Sequence, residues 1–438
     1  MNQVASLSRV TPTALRSAAA WWLLLPALVA SACTSLKSSS DVVRTETEEA
    51  GATEEEEMEA AVEEPDADVP GEVDGSSELD AATPDAAADL DSAPDADVRV
   101  NVRDGAEPDA AVADRCLVKK GQIDVSDDIN TSATWSCEFD YVLQNIVRIN
   151  DGATLTIEAG TTVKAVQGKA PPNYVEPGAL VVRRGGKIQA VGSATRPIVF
   201  TSTAEAGFKA PGQWGGLIVL GNATVNQGVA SIEGIPSGGE YGGTDDGDSS
   251  GTLRFVRVEY AGFTLGTGKE INGLTLGGVG RGTQIDHVQV RRASDDCFEF
   301  FGGSVDAKYL ACQGNEDDGF DFDFGYRGRL QFLVHQQDGS YANLDDAMNG
   351  VEADNESQAL PTPSLPRTEP TIYNMTLCGG GVAAPSGVAG VKDRFGMIWR
   401  RNSKGHVHNS LVLGFDAGLD IRDPQTSVEI GSSAFFGN

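Results

Sequence analysis

Three acidic steps stand out in the second half of the chain. Asp295-Asp296-Cys297-Phe298-Glu299-Phe300 is followed by Asp317-Asp318-Gly319-Phe320-Asp321-Phe322, and that in turn by Asp345-Asp346-Ala347-Met348. Paired carboxylates at a repeating interval can hold a hard cation or move protons. If the interval is one turn of a solenoid, successive pairs stack ~4.8 Å apart. Carboxylates at that distance repel by about 1 kcal/mol at the dielectric of water, and several times more when partly buried. Such a column needs a counter-ion, and oxygen-only donors select calcium. The candidate ligands are Asp295, Asp296, Asp317, Asp318 and Asp321. The plainer alternative is an exposed acidic edge that only keeps the protein soluble.

A second periodicity supports the solenoid. Apolar-rich triplets at i, i+3 and i+5 recur at Leu253/Val256/Val258, Ile285/Val288/Val290, Val305/Lys308/Leu310, Leu330/Leu333/His335, Ile372/Met375/Leu377 and Val407/Ser410/Val412. Their spacings of 32, 20, 25, 42 and 35 fit one coil, with or without an inserted loop. Glycines cluster between the runs, at Gly277-Gly278, Gly302-Gly303 and Gly379-Gly380-Gly381, where the chain must turn. Long helical periodicity is absent, and so are the two-residue hairpin signals of a β-sandwich. The expected fold is all-β, a parallel β-helix over residues 151–438. Solenoid ends need cover, and residues 116–150, with Trp135 and Cys137, read as an N-terminal cap. No comparable segment is recognisable before Asn438, so either the last coil is finished in an unfamiliar way or the chain is a truncated member of its family.

The rest of the sequence supplies an address and a spacer. Lys+Arg number 33 against 64 Asp+Glu in 438 residues, a net charge of −31. Residues 41–115 hold 26 acids and 4 arginines and so carry −22 of that total. This balance excludes nucleic acid as a partner, which needs a basic footprint. Arg9 and Arg16, the apolar run Trp21–Ala30 and the small residues Ala30-Ser31-Ala32 make residues 1–32 an export signal. Cys33 follows directly, as in a bacterial lipobox, although Ala30 stands where leucine is commonest. Lipidation of Cys33 would anchor the protein to a membrane, at the outer membrane or cell surface. Residues 33–115 then form an extended, disordered acidic tether, too charged and too polar to fold.

Of the remaining cysteines, Cys116 and Cys137 pair as a staple across the cap, which leaves the pairing of Cys297, Cys312 and Cys378 open. His287, His335, His406 and His408 have no catalytic context, and His406-x-His408 reads as surface polarity ahead of a zinc pair. Arg183-Arg184, Arg291-Arg292 and Arg400-Arg401 read as solvated strand ends. The Asp245-Asp246-Gly247-Asp248 loop could hold a second calcium or be a plain turn.

Longer motifs carry a resemblance. Trp214-Gly215-Gly216-Leu217-Ile218-Val219-Leu220-Gly221-Asn222, Ile232-Glu233-Gly234, Tyr241–Asp246, Glu270–Gly280 and the two Asp-Asp-x-Phe strands together resemble a group of exported bacterial right-handed β-helix lipoproteins. That resemblance implies a pectin-lyase-like fold and no established activity. The segment Asn315–Asp321 is also similar to the calcium-binding strand of one class of β-helical pectate lyases. There, two adjacent aspartates, a third three residues on and one from the preceding coil ligate calcium; here Asp317, Asp318, Asp321 and Asp295 or Asp296 match.

The catalytic half of that likeness is missing. No lysine lies between Lys308 and Lys392, and Arg327 and Arg329 are poor bases because guanidinium resists deprotonation. Asp295-Asp296-Cys297 is locally similar to a polygalacturonase strand, without that family's accompanying motifs. The expected function is therefore a calcium-stabilised β-helix presented at the cell surface for binding or structural roles, polysaccharide being one candidate ligand. The alternative is a polysaccharide lyase or glycoside hydrolase using the same aspartates.

Overall fold

A computed structural model describes residues 115–169, 172–235, 237–264, 270–337, 348–380 and 394–438. The expected signal segment 1–32, Cys33, the expected tether up to Asp114 and the acidic pair Asp345-Asp346 lie outside the described residues. Every named element is a β-strand, and no described helix is long and apolar enough to cross a membrane.

The strands form a 16-stranded sheet, a nine-stranded sheet and a small antiparallel hairpin, Ala230–Ser231 with Glu240–Tyr241. Along the chain, Leu274–Gly277, Phe298–Phe301, Phe320–Asp323 and Val351–Ala353 enter the nine-stranded sheet. Between them, Gln284–Arg291, Ala307–Gln313 and Arg329–Gln336 enter the larger one. Each strand pairs in parallel with its counterpart one coil away. The chain thus winds from sheet to sheet around one core as a parallel β-helix.

The i, i+3, i+5 pattern has a local cause. In the larger sheet, Leu253, Val256 and Val258 lie over Ile285, Val288 and Val290, and all six are buried. The residue at i+2 of each coil has a positive φ: Phe255 (50°), His287 (53°), Tyr309 (56°), Phe332 (63°), Asn374 (58°) and Asn409 (49°). A left-handed residue bends the strand and resets its two-residue alternation, so the inward positions become i, i+3 and i+5. Such a conformation costs a bulky residue about 1–2 kcal/mol. Stacking offsets part of that, because the rings form an outer ladder with centroids 4.4 Å apart for Phe255–His287 and His287–Tyr309, and 4.8 Å for Tyr309–Phe332.

One triplet differs from the expectation. Ile285, Val288 and Val290 lie over Ala307, Leu310 and Cys312, so the inward set starts two positions after Val305. Lys308 faces solvent. With Ile285 over Ala307 and Ala307 over Leu330, the coils become nearly equal in length. The small Ala307 and the half-disulfide Cys312 disguised the inward positions.

The nine-stranded sheet packs Phe298, Phe300, Phe320 and Phe322 inward, all fully buried. Phe298 stacks on Phe320 at 5.3 Å and Phe300 lies 5.4 Å from Phe322. Cys297 and Cys312 form a disulfide from the start of one strand to the opposite sheet, and Cys116 is bonded to Cys137.

The segment 116–150, expected as the N-terminal cap, has strands that join the ladders. Gly121–Val125 pairs in parallel with Phe139–Leu143, and Ile146–Ile149 pairs with Ala179–Val182. Gly121–Val125 is the terminal strand of its sheet, mostly exposed, and Trp135 stacks on Tyr141 beneath it at 4.7 Å.

Candidate metal centre

Alternation in the nine-stranded sheet decides which acids face out. With Phe298 and Phe300 inward, Glu299 and Phe301 point away from the core. One coil on, the inward pair is Phe320 and Phe322, and Asp321 and Asp323 point outward. A further coil on, Val351 and Ala353 are inward and Glu352 outward. Parallel register places Glu299 on Asp321 and Asp321 on Glu352. Outward does not mean wet: Asp321 is only 8% exposed.

The turn before each strand carries a second column. The pairing of Phe298 with Phe320 and of Phe320 with Val351 sets Asp296 over Asp318 and Asp318 over Asn349. Asp318 N–H donates to Asp296 Oδ1 at 2.8 Å, Asn349 N–H to Asp318 Oδ1 at 2.7 Å, and Phe395 N–H to Asn349 Oδ1 at 2.9 Å. Each side chain accepts the amide of the next coil, and an asparagine does this as well as an aspartate. The third acidic step expected at Asp345-Asp346 is therefore replaced in the ladder by Met348 and Asn349. The register falls later in the chain than Asp345-Asp346 because the intervening coil is longer than the one before it.

Two groups of carboxylates bring their oxygens within 4.8 Å of one another: Asp295, Asp296 and Asp317, and Asp296, Glu299 and Asp321. Asp296 belongs to both. Two oxygens on one calcium can be at most about 5 Å apart, twice the metal–oxygen distance, so either group can share an ion. Among the described residues, Asp321 Oδ1 and Asp323 Oδ1 are buried without a hydrogen-bond partner. An ionised carboxylate in that position costs several kcal/mol unless a cation or a proton relieves it.

The electrostatics run in one direction. Burial, with the neighbouring Asp295, Asp317, Asp318 and Asp321, holds Asp296 well above the ordinary carboxylate range. Burial and then Asp295 and Asp323 do the same to Glu299; burial and then Asp323, Glu352 and Glu299 do it to Asp321. Burial and then Asp354 and Glu352 raise Asp323. Asn272 Nδ2 donates to Glu299 and offsets part of this, and among the described residues cations reach the column at its far end. Arg400 pairs with Glu352 and, at 3.0 Å, with Asp354, while Arg401 also reaches Asp354. Burial and Glu352 still push Asp354 up to about 6, against the pull of Arg400. Burial works against the charge on Arg400, but Glu352 and Asp354 outweigh it and raise its pKa above the ordinary guanidinium value.

Of the expected ligands, the fold brings together Asp295, Asp296, Asp317 and Asp321. Asp318, 3% exposed, stands in the backbone-bonding column and in neither group. Glu299 is absent from the expected set, although it precedes Asp321 by the same interval that separates Asp295 from Asp317. Glu352 and Asp354 were hidden by the longer coil. Arg400 and Arg401, read as solvated strand ends, instead clamp the acidic column. The Asp245–Asp248 loop spends its carboxylates internally: Asp246 accepts from Thr224 N–H and pairs with Arg327 at 2.7 Å, and Asp248 accepts from Asn222 N–H.

All the donors in the two groups are carboxylate oxygens, and one buried oxygen lacks a partner; this set fits calcium. For proton chemistry the arrangement is poor. Asp296, Glu299 and Asp321 are buried, and among the described residues the cations at the column are arginines already engaged with acids. A family model described as a pectate-lyase like beta helix domain matches residues 127–436. No curated protein matches the chain.

Proposed function

The chain belongs to the pectate-lyase-like β-helix domain family, and from that premise we propose that it is a calcium-stabilised binding module. In this reading it is exported by residues 1–32, anchored by a lipid on Cys33 and held off the membrane by the acidic tether. Calcium sits among Asp295, Asp296, Asp317 and Asp321, with Glu299 as an added ligand. The observation that carries the metal is the buried, unpartnered Oδ1 of Asp321 beside Asp296 and Glu299.

Polysaccharide is the ligand class the outer face suits. A groove on the larger sheet is lined by Arg281, Lys308, Arg329, Asp286, Asp306 and Tyr373. Tyr309 and Phe332 lie on the same sheet at 37% and 38% exposure. Arg281 and Lys308 can meet carboxylated sugars and the flat rings can meet sugar faces, while Asp306 is paired with Arg329 and Asp286 with Arg254, which makes a track for an anionic chain.

The competing reading is a lyase or hydrolase. In its favour, Asp296, Glu299 and Asp321 approach the ~5–5.5 Å carboxyl separation of retaining hydrolases. Against it, Asp296 and Asp321 are buried away from a sugar ring. One experiment separates the readings. Metal-free protein is titrated with calcium chloride while its melting temperature is followed, then incubated with polygalacturonate and assayed for both retention and cleavage. A calcium-dependent rise with retention and no unsaturated or reducing-end product supports the binding module. No thermal response to calcium removes the metal site, and product that vanishes in Asp321→Asn makes the protein an enzyme.

A further inference from the structure

We infer that a second metal site, of different chemistry, lies on the larger sheet at His406, His408 and Glu429. It would take a late first-row divalent ion of the zinc class and not calcium. Strand alternation puts His406 and His408 on one outer face, with Val407 buried between them. Parallel register sets Glu429 of the Ser427–Gly431 strand directly opposite His406. A nitrogen of each histidine and a carboxylate oxygen of Glu429 all lie within 4.8 Å of one another.

The surroundings of His406 are those of a ligand with a supporting partner. Its Nε2 is 3.3 Å from Glu369 Oε1 on the preceding coil, and its Nδ1 is 3.0 Å from Glu429 Oε2. A neutral imidazole carries one N–H. Donated to Glu369, it leaves the Nδ1 lone pair facing a carboxylate oxygen at the separation two ligands have on one tetrahedral ion. A carboxylate behind a ligating histidine fixes its tautomer and raises its basicity. Glu369 occupies that place.

His408 is also held. Its ring stacks on Tyr373 one coil away at 4.8 Å. On the other side it lies over Gly431, where an added Cβ would fall 2.3 Å from His408 Nδ1, so only glycine leaves the ring this position. Two imidazoles and one carboxylate are a borderline donor set. It suits zinc, copper or nickel and discriminates against calcium, which wants six or more oxygens. The site is open, with the His406 side chain 37% and Glu429 66% exposed. A bound ion would therefore keep a water or accept an external ligand. The acidic column belongs to the other sheet, so this inference does not rest on the calcium reading.

The test uses untagged, metal-free protein, because an affinity tag of histidines would mask the result. Zinc chloride is titrated calorimetrically in excess calcium, and cobalt chloride is followed by visible spectroscopy. Wild type should bind one equivalent, give cobalt bands of nitrogen ligation and shift the proton resonances of two of its four histidines. His406→Ala and His408→Ala should abolish the bands. Glu369→Gln should weaken zinc by roughly 10–100-fold, as loss of a supporting carboxylate does. Asp321→Asn should bind zinc like wild type. His406, His408 and Glu369 are only half-buried, so their variants should fold, and an unchanged circular dichroism spectrum verifies this for every variant. Wild type without zinc binding, or a His406→Ala/His408→Ala variant that binds as wild type does, overturns the site and leaves a ring proton between His406 and Glu429.

Discussion

Glu299 lies directly over Asp321 in adjacent parallel strands, and the charges that bear most on both are those of other carboxylates. At ~5 Å and an effective dielectric of about 20, two such charges repel by roughly 3 kcal/mol. The fold tolerates the pair only if a cation or a proton comes with it. Asp321→Asn should therefore act in opposite directions with and without metal. In chelator, the variant should melt above wild type, by an amount equivalent to about 1–3 kcal/mol. In calcium, wild type should gain about 2.7 kcal/mol at a hundredfold excess over Kd while the variant gains nothing. Differential scanning fluorimetry in both buffers reads the crossing. A variant that is the less stable one in chelator would show that Asp321 is not electrostatically strained.

Asp318 separates the ladder from the metal. Its Oδ1 accepts Asn349 N–H, and one coil on Asn349 makes the same bond with an amide oxygen. Asp318→Asn should keep that bond, the fold and the calcium response. Asp318→Ala should lose the acceptor and cost about 1–3 kcal/mol, because a buried N–H is left unpaired. Chemical denaturation of the two variants side by side checks this; loss of calcium binding in Asp318→Asn would return Asp318 to the ligand set.

The pH dependence of the metal-free protein follows from burial. Asp296, Glu299, Asp321 and Asp323 are raised by burial first and like charge second, and Asp354 is pushed up to about 6. An acid whose folded pKa exceeds its unfolded value near 4 binds protons more tightly when folded. Its contribution is then full at low pH and is lost as pH rises through the folded value. In chelator, the acid column should make the protein less stable at pH 8 than at pH 5. Calcium should cancel most of that slope, since a bound cation replaces the protons. Melting curves across that range with and without calcium measure it; equal slopes would mean that no ion replaces the protons.

The coil period was legible because side chains of one type recur at each turn, and Phe298, Phe320 and the Asp-Asp pairs mark it openly. What could not be read was register across an irregular coil. Nothing local says that Asn349, and not Asp346, is the residue stacked on Asp318; only the pairing of Phe320 with Val351 does. For the same reason Glu352 and Arg400 looked unrelated to the column. Their neighbours are set by hydrogen bonds between coils, which leave no mark on either strand alone. Ala307 and Cys312 hid their coil differently, by being too small or too reactive to count as core until the ladder placed them inside.

The Cys297–Cys312 bridge ties the two sheets together within one coil, across a sequence separation of 15. Cross-linking a loop of that length restricts the unfolded chain by about 3 kcal/mol. Replacing both cysteines by serine should cost at least that, since two hydroxyls are then buried. Replacing both by alanine should cost less than the serine pair. Urea midpoints of the two double variants test the order, and a serine pair as stable as the alanine pair would put these positions nearer solvent than their burial implies.

His335 offers the sharpest pH test because it titrates against its surroundings. It fills an inward column between Cys312 and Leu377 and is fully buried. Its Nε2 meets Asn315 Oδ1 at 3.0 Å, and its Nδ1 has no partner among the described residues. Burial lowers its pKa to about 3. A base lowered on folding contributes stability above its unfolded value of about 6.5 and loses it as pH falls. By pH 5 the loss is about 2 kcal/mol, at roughly 1.4 kcal/mol per unit. His335→Leu restores the hydrocarbon its neighbours in the column carry, at the expense of the Asn315 bond. At pH 8 the variant should lie within about 1.5 kcal/mol of wild type. Below pH 6 it should become the more stable of the two. The difference between the two unfolding free energies, followed from pH 8 to 5, isolates this residue from the acidic column, which both proteins share; a difference that stays flat would mean that His335 takes up its proton without leaving the core.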